Sequence, residues 1–227
     1  MKNYAVILAS GNGTRFVSNK PKQFTVIMGK TILEHTIEIF ENSSLIDEII
    51  IVIIPEYRHE LESILQRQSY KKVSKILEGG KTRQQSSHIG VFSIQEQEAN
   101  VLIHDCARPF LSQRIIMDCI HALQKYKAVT VAIPTTDTII QLNDQKIVQS
   151  VPERTYIRQE QTPQCFKLSI IKKAHNLADT NDNFTDDCGL VLKYGLCDVY
   201  VVEGESTNIK ITYPKDLFLA ERLFQQF

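Results

Sequence analysis

The chain has 227 residues, and Lys plus Arg and Asp plus Glu number 26 each, so its formal net charge is zero. That balance argues against a broad basic footprint for nucleic acid while leaving room for a local anion site. The five cysteines (Cys106, Cys119, Cys165, Cys188, Cys197) form no C-x-x-C pair, residues 1–9 lack the basic flank and length of a signal peptide, and no run approaches a membrane span; free thiols in a reducing cytoplasm are the expectation.

The first element is the apolar run Tyr4–Ala9, which predicts a buried parallel strand. It opens into Ser10, Gly11 and Gly13, small residues whose amides can approach an anion closely, and two cations, Arg15 and Lys22, follow. The absence of GKS or GKT excludes a Walker loop, and a third glycine of the dinucleotide fingerprint is missing. The glycines alone suit an ordinary strand-to-loop turn equally well; the strand and the two cations favour phosphate binding.

Helical periodicity spans Thr31–Phe40, with Leu33, Ile37 and Phe40 on one face. A second buried strand covers Asp47–Ile54 and is closed by Pro55. A polar helix near 57–67 and a short strand over Val73–Leu77 come next, and then the turn Gly79-Gly80. Arg83 and Ser86 fall on the first turns of the helix behind it, where amides and a cation can meet an anion or a base edge.

The strand Val101–Ile103 runs into His104-Asp105-Cys106-Ala107-Arg108. Charged groups at the C-terminal end of a buried strand need partners or a ligand, and ligands of open α/β sheets sit there. Asp105 is therefore the candidate for a divalent-metal or hydroxyl contact, against the alternative of a local Asp105–Arg108 ion pair. His104 is read either as a general base or as a structural hydrogen-bonding residue.

A helix over 112–126 and a strand over Ala128–Ile133 complete this half. Residues 135–158 then change character: short β segments, Thr138–Leu142 and Lys146–Val151, flank a polar turn. They predict a hairpin arm too small to own a core, packed on another subunit. Thr162–Phe166 returns the chain to the body, Leu168–Leu177 is helical, Thr185-Asp186-Asp187 starts a capped helix, Val199–Val202 is a late strand, and a terminal helix begins near Pro214. The alternation predicts a three-layer α/β fold with a mostly parallel central sheet, one domain over 1–227.

The polar loops Ser10–Lys22, Gly79–Ser86, His104–Arg108 and Asn208–Lys210 carry the chemistry. Arg15, Lys22 and Lys210 suit a triphosphate. There is no G-x-S-x-G nucleophile and no zinc spacing among the six histidines. Cations with one or two carboxylates fit phosphoryl or nucleotidyl transfer, in which the protein aligns reactants and stabilises charge.

In order, Leu8–Arg15, Pro21-Lys22-Gln23, Gly79-Gly80 with Arg83, His104–Pro109, Asp137-Thr138, Thr162-Pro163-Gln164, Thr185-Asp186-Asp187 and Asn208–Thr212 resemble a cytidylyltransferase family. That family includes the 2-C-methyl-D-erythritol 4-phosphate and the ribitol-5-phosphate cytidylyltransferases. The resemblance covers nearly the whole chain. It implies a three-layer Rossmann-like nucleotidyltransferase that uses CTP, a polyol phosphate and Mg²⁺ and releases pyrophosphate.

By likeness, Leu8, Ala9, Ser10, Gly11 and Gly13 wrap the triphosphate, Arg15, Lys22 and Lys210 stabilise the reacting phosphates, and Gly79, Gly80, Arg83 and Ser86 line the cytidine side. Asp105 contacts metal or substrate hydroxyls, and Arg108, Thr138 and Arg154 face the acceptor. The arm would cross to a second subunit of a homodimer, with no nucleic-acid or membrane partner. Ser10 stands where the family usually has alanine or glycine. Thr135-Thr136 and Cys188 lean to the ribitol branch, while His104–Arg108, Asp186-Asp187 and the short length lean to methylerythritol phosphate. A hexose-1-phosphate nucleotidyltransferase and a non-catalytic nucleotide-binding regulator are the other classes compatible with the opening loop.

Overall fold

Residues 4–9 are buried without a break, because the strand they form has covered faces on both sides. The computed structural model describes residues 1–11, 16, 20–179 and 184–225. The sheet strands in the first half are β1 (Lys2–Ala9), β4 (Glu48–Ile53), β5 (Val73–Glu78) and β6 (Ala99–Asp105), with the short pair β2 (Val26–Ile27) and β3 (Lys30–Thr31) between β1 and β4. Helices α1 (Ile32–Glu41), α2 (Arg58–Arg67), α3 (Arg83–Phe92) and α4 (Gln113–Ala122) connect them. The second half adds β7 (Ala128–Pro134), β8 (Gln141–Leu142), β9 (Val148–Ser150), β10 (Arg158–Lys167), α5 (Leu168–Leu177), α6 (Asp187–Lys193), β11 (Val199–Glu203) and α7 (Asp216–Phe224).

The seven-stranded sheet has the order β11-β7-β10-β6-β1-β4-β5, parallel except for β10, which runs antiparallel to both neighbours. This is the expected mostly parallel sheet flanked by helices. The chain steps outward from β1 through β4 to β5, then returns to place β6 on the other side of β1. The loops after β1 and β6 therefore diverge around a crevice at the C-terminal strand ends, the switch point where open α/β sheets bind ligands.

Alternation along β1 divides the core. Ala5, Ile7 and Ala9 pack with Leu33, Ile37, Phe40 and Ile115 on one face. Tyr4, Val6 and Leu8 pack with Val91, Ile171 and Leu190 on the other. Each such large side chain contributes about 1.5–3 kcal/mol by leaving water. Helix α3 approaches β1 closely because Gly90 has no Cβ; one built there would lie 2.5 Å from Val6 Cγ1. That approach brings the N-terminal turn of α3 to the crevice. Helix α1 starts with a capping box: the Thr31 hydroxyl accepts from the Glu34 amide and the Glu34 carboxylate accepts from the Thr31 amide.

The short pair β2–β3 was not anticipated from the sequence, and two further segments differ from the sequence reading. The return segment 162–166 falls mostly in the second half of a ten-residue strand, β10. Its composition, rich in Gln, Glu and Thr with Pro163 inside, hides it; proline is tolerated because the ladder shifts register between Gln161 and Cys165. The arm keeps its hairpin, but the paired segments shrink to β8 and β9. Its turn is organised by Asn143, whose side-chain oxygen accepts from the Gln145 and Ile147 amides. Ile139, Ile140, Leu142, Ile147, Val148, Val151 and Tyr156 all lie exposed along it. Among the described residues, no helix is long and apolar enough to cross a membrane.

Candidate active site

The crevice holds a cavity of about 690 Å³, within the size range of a small-molecule site. One wall is the end of β1 and its loop, Leu8 to Gly11. Another is Gly79 to Arg83 and Gln85, and the floor carries Lys22, Asp105, Cys106 and Lys210. A second, smaller space of about 150 Å³ adjoins it, lined by Arg108, Glu160, Gln161, Thr162, Gln164, Thr185 and Asp186. Arg83, Asp105 and Lys210 line both.

The loops are held by side chains with little freedom left. Gln23, buried behind the first loop, donates from Nε2 to the Ala9 carbonyl at 2.6 Å and fixes where β1 ends. Ser86 is almost fully buried and spends its hydroxyl on the loops. It accepts from Ser10 Oγ (2.7 Å) and the Gly80 amide (3.1 Å) and donates to the Thr82 carbonyl (3.0 Å). Ser86 thus joins the two walls from behind, while Gly79 and Gly80 present backbone to the cavity. Gly79 has no room for a side chain, since a Cβ would stand 2.2 Å from Ser10 Cβ.

Lys22 Nζ donates to the Ile211 carbonyl at 2.8 Å, tying the cation after β1 to the segment that carries Lys210. Lys210 Nζ donates to Asp105 Oδ2 at 2.6 Å, and Arg83 Nε donates to Asp105 Oδ1 at 3.3 Å. Burial pushes the Asp105 carboxyl up, but the charges of Arg83 and Lys210 outweigh it and hold the group below the usual carboxylate range. Asp105 is therefore ionised, and its partners are Arg83 and Lys210 rather than Arg108. The Arg108 guanidinium donates instead to the Asn208 and Glu160 carbonyls, and its Nε is buried without a partner.

His104 is structural. It is fully buried, its Nε2 faces the Arg108 carbonyl at 3.0 Å and its Nδ1 faces Thr162 Oγ1 at 2.9 Å. A carbonyl only accepts, so Nε2 carries the proton and Nδ1 accepts from Thr162, which in turn accepts from the Asp105 amide. Burial lowers its pKa to about 4.

Beneath Arg83 lies a group that the sequence marked as a helix start and a family-like segment, without a role in the site. Arg83 Nη1 donates to Asp187 Oδ2 at 2.6 Å, Ser87 Oγ donates to Asp187 Oδ1 at 2.5 Å, and the Asp187 amide donates to Gln164 Oε1 at 2.8 Å. Burial raises the Asp187 carboxyl, and Arg83, His175 and Ser87 more than reverse it, bringing it to about 2. The signal available was the pair Asp186-Asp187: Asp186 caps α6 by accepting from the Gly189 amide, which leaves the second carboxylate for another task.

The candidates among the described residues fall into three groups. Leu8, Ala9, Ser10, Gly11, Lys22, Gly79, Gly80, Arg83, Asp105 and Lys210 converge on the larger cavity, and Ser86 braces it. Arg108 lines the smaller one. Thr138 and Arg154 lie exposed on the arm, with Arg154 Nη1 donating to the Thr136 carbonyl, and line neither cavity. Gly13 and Arg15 lie outside the described residues.

Two donor sets bear on a divalent cation. Glu160, Asp186 and Cys188 bring ligand atoms within 4.8 Å of one another. Glu160 already accepts from Thr130 and Gln164, and burial raises the pKa of the Cys188 thiol, so this set suits Mg²⁺ poorly. Asp105 lies on the cavity floor as an ionised hard-oxygen donor; Arg83 and Lys210 each engage one of its oxygens, and the lone pairs left on those oxygens fit a Mg²⁺ that takes its other ligands from phosphates and water.

A mostly parallel sheet with a backbone-lined crevice, convergent cations and the ionised Asp105 between them defines a Rossmann-like nucleotidyltransferase. Comparison narrows the class: a family model described as 2-C-methyl-D-erythritol 4-phosphate cytidylyltransferase matches residues 4–226. A Haemophilus influenzae protein named bifunctional ribulose 5-phosphate reductase/CDP-ribitol pyrophosphorylase is 44% identical over 99% of this chain, which spans 48% of that protein. A Thermosipho melanesiensis 2-C-methyl-D-erythritol 4-phosphate cytidylyltransferase is also 44% identical, over 96% of this chain and 95% of its own. The structure of an Anaerococcus prevotii 4-diphosphocytidyl-2C-methyl-D-erythritol synthase superposes with a TM-score of 0.86 at 32% identity, covering 99% of this chain and 96% of that one. The chain belongs to the 2-C-methyl-D-erythritol 4-phosphate cytidylyltransferase family. It is a CTP-dependent nucleotidyltransferase.

Proposed function

We propose that the enzyme transfers CMP from CTP to the phosphate of 2-C-methyl-D-erythritol 4-phosphate and releases pyrophosphate. The observation that carries this reading is the pair of adjoining cavities sharing Arg83, Asp105 and Lys210. The larger takes CTP, the smaller takes the acceptor, and the shared residues surround the phosphorus that changes partners. A phosphate oxygen of the acceptor attacks the α-phosphorus, forming one P–O bond as the bond to the β-phosphate breaks. The attacking oxygen is already anionic, so no side chain needs to remove a proton, consistent with a neutral, fully engaged His104. Lys22, with Arg15 seven positions before it in sequence, balances charge on the departing pyrophosphate, and Lys210 does so at the α-phosphate. Asp105 would hold Mg²⁺, which when bound offsets repulsion between the phosphate groups.

The functional unit in this reading is a homodimer. The exposed apolar side chains of residues 135–158 would be covered by a second copy, and the arm would bring Thr138 and Arg154 to the acceptor side of its partner's site. In the same reading residues 1–227 are one domain from which this arm projects, acting in the cytoplasm on small molecules, without nucleic-acid or membrane partners.

A second acceptor, D-ribitol 5-phosphate, is favoured by the identity to the Haemophilus protein with a CDP-ribitol activity in its name and by Thr135-Thr136 ahead of Asp137-Thr138. Pyrophosphate release from CTP decides between them. Turnover with methylerythritol phosphate at least tenfold faster than with ribitol phosphate supports the first reading, the reverse ratio establishes the second, and release with neither overturns both.

A further inference from the structure

We propose that Asp187 is a positioning residue for the transfer, acting through Arg83 at the junction of the two cavities; this rests on the two-cavity reading above. Asp187 lines neither cavity, and its side chain is 1% exposed. A carboxylate kept charged in such a place is a poor device for stability alone, since apolar packing of the same volume would serve as well. Its surroundings instead fix its direction. Ser87 Oγ and the nearby His175 occupy Oδ1, and Gln164 Oε1 anchors the backbone amide of Asp187. Oδ2 is left to meet Arg83 Nη1 at 2.6 Å.

Charges then alternate from contact to contact, from Lys210 to Asp105 to Arg83 to Asp187. With Nη1 claimed from below, Arg83 turns Nε towards Asp105 Oδ1 at 3.3 Å while Lys210 takes Oδ2. Without Asp187, Arg83 would compete with Lys210 for a single carboxylate or swing towards the phosphates. Either movement displaces groups that must be in register when phosphorus changes partners. Gln164 belongs to both ends of this arrangement: it holds Asp187 by its oxygen, its nitrogen donates to Glu160 at 2.7 Å, and it lines the acceptor cavity.

The test is a double-mutant cycle on the full-length enzyme with Asp187→Asn, Arg83→Gln and both together. Asp187→Asn should lower kcat by about a hundredfold, the cost of an ångström-scale misplacement, and leave the KM for CTP within about threefold, as for an interaction made mainly in the transition state. The double variant should be no slower than Arg83→Gln alone. An unchanged kcat, a loss confined to KM, or the same loss in both backgrounds overturns the proposal. Should Asp187→Asn not fold, Ser87→Ala substitutes for it. A kcat loss of about three- to tenfold that vanishes in the Arg83→Gln background supports the role, and an equal loss in both sinks it. The NMR signal of the Arg83 Nε proton reads the same point without turnover. It should shift and exchange faster in Asp187→Asn, and a signal that stays put refutes the proposal. Wild-type enzyme inactive with both acceptors would count against the proposed acceptors only.

Discussion

Substituting Gly79 by alanine tests whether the two walls of the nucleotide cavity are set by backbone contact. The new Cβ would stand 2.2 Å from Ser10 Cβ and 2.8 Å from Ser10 Oγ, whereas ordinary contact begins near 3.4 Å. The obstacle is a β-carbon fixed to the loop rather than the end of a flexible chain, so the loop after β1 must retreat by about 1 Å. Overpacking of that kind costs about 1–3 kcal/mol. The retreat also breaks the Ser10–Ser86 hydrogen bond and displaces the amides proposed to approach the triphosphate. A misplacement of this size corresponds to about a hundredfold in kcat/KM for CTP. Pyrophosphate release measures the second effect and urea unfolding the first. Ser10→Gly removes the obstructing carbon at the cost of one hydrogen bond worth about 1 kcal/mol. The Gly79→Ala/Ser10→Gly pair should therefore recover most of both losses. Gly79→Ala with wild-type stability and kcat/KM, or a double variant no better than the single, would refute the reasoning.

Lys22→Ala removes the Nζ–Ile211 contact and a charge from the cavity; kcat should fall by about 10²–10³-fold with an unchanged circular dichroism spectrum, and full activity would sink the phosphate role. Acid stability follows from the buried carboxylates. Asp187 binds its proton near pH 2 when folded against an ordinary value of 3.8, so its contribution of about 2 kcal/mol is complete above pH 4 and is lost as pH falls through 2. Asp105 shifts in the same direction. Urea midpoints should fall steeply over this window and more gently in Asp187→Asn; identical slopes would contradict the assignment. His104 adds a loss that begins earlier, as pH falls from 6.5 through 4, because the unfolded chain accepts its proton first. Arg154→Ala should raise the KM for the acceptor by tenfold or more, on the order of the loss of one charged contact, and leave that for CTP unchanged. Ile147→Asp with Val148→Asp should convert the proposed dimer to monomer by light scattering and abolish acceptor turnover; a monomeric but fully active variant would remove the arm from the site.

Much of the framework was legible along the chain. β1, β4, β6 and β7 are built around short apolar runs, and helix starts such as Thr31 and Asp186 carry their own caps. Where local composition opposed the fold, reading failed. β10 is polar and contains a proline, and it is a strand because β6 and β7 hydrogen-bond it from both sides. Ser86 sat in the expected place, yet its hydroxyl is turned to the loops it joins. Asp187 looked like part of a helix start, and its partner Arg83 is more than a hundred residues away in sequence.

The sequence by itself determined the parallel sheet, the loops that follow its strands, and the kinds of charge those loops carry. These depend on periodicity and on neighbours a few residues apart. Only the tertiary structure decided who pairs with whom: Lys210 with Asp105, Arg83 with two carboxylates, Ser86 between two loops. Those pairings depend on strand order, which brings the ends of β1 and β6 together with the starts of α3 and α6 across long stretches of chain. A charge in sequence has no partner until burial removes the water that would otherwise serve as one.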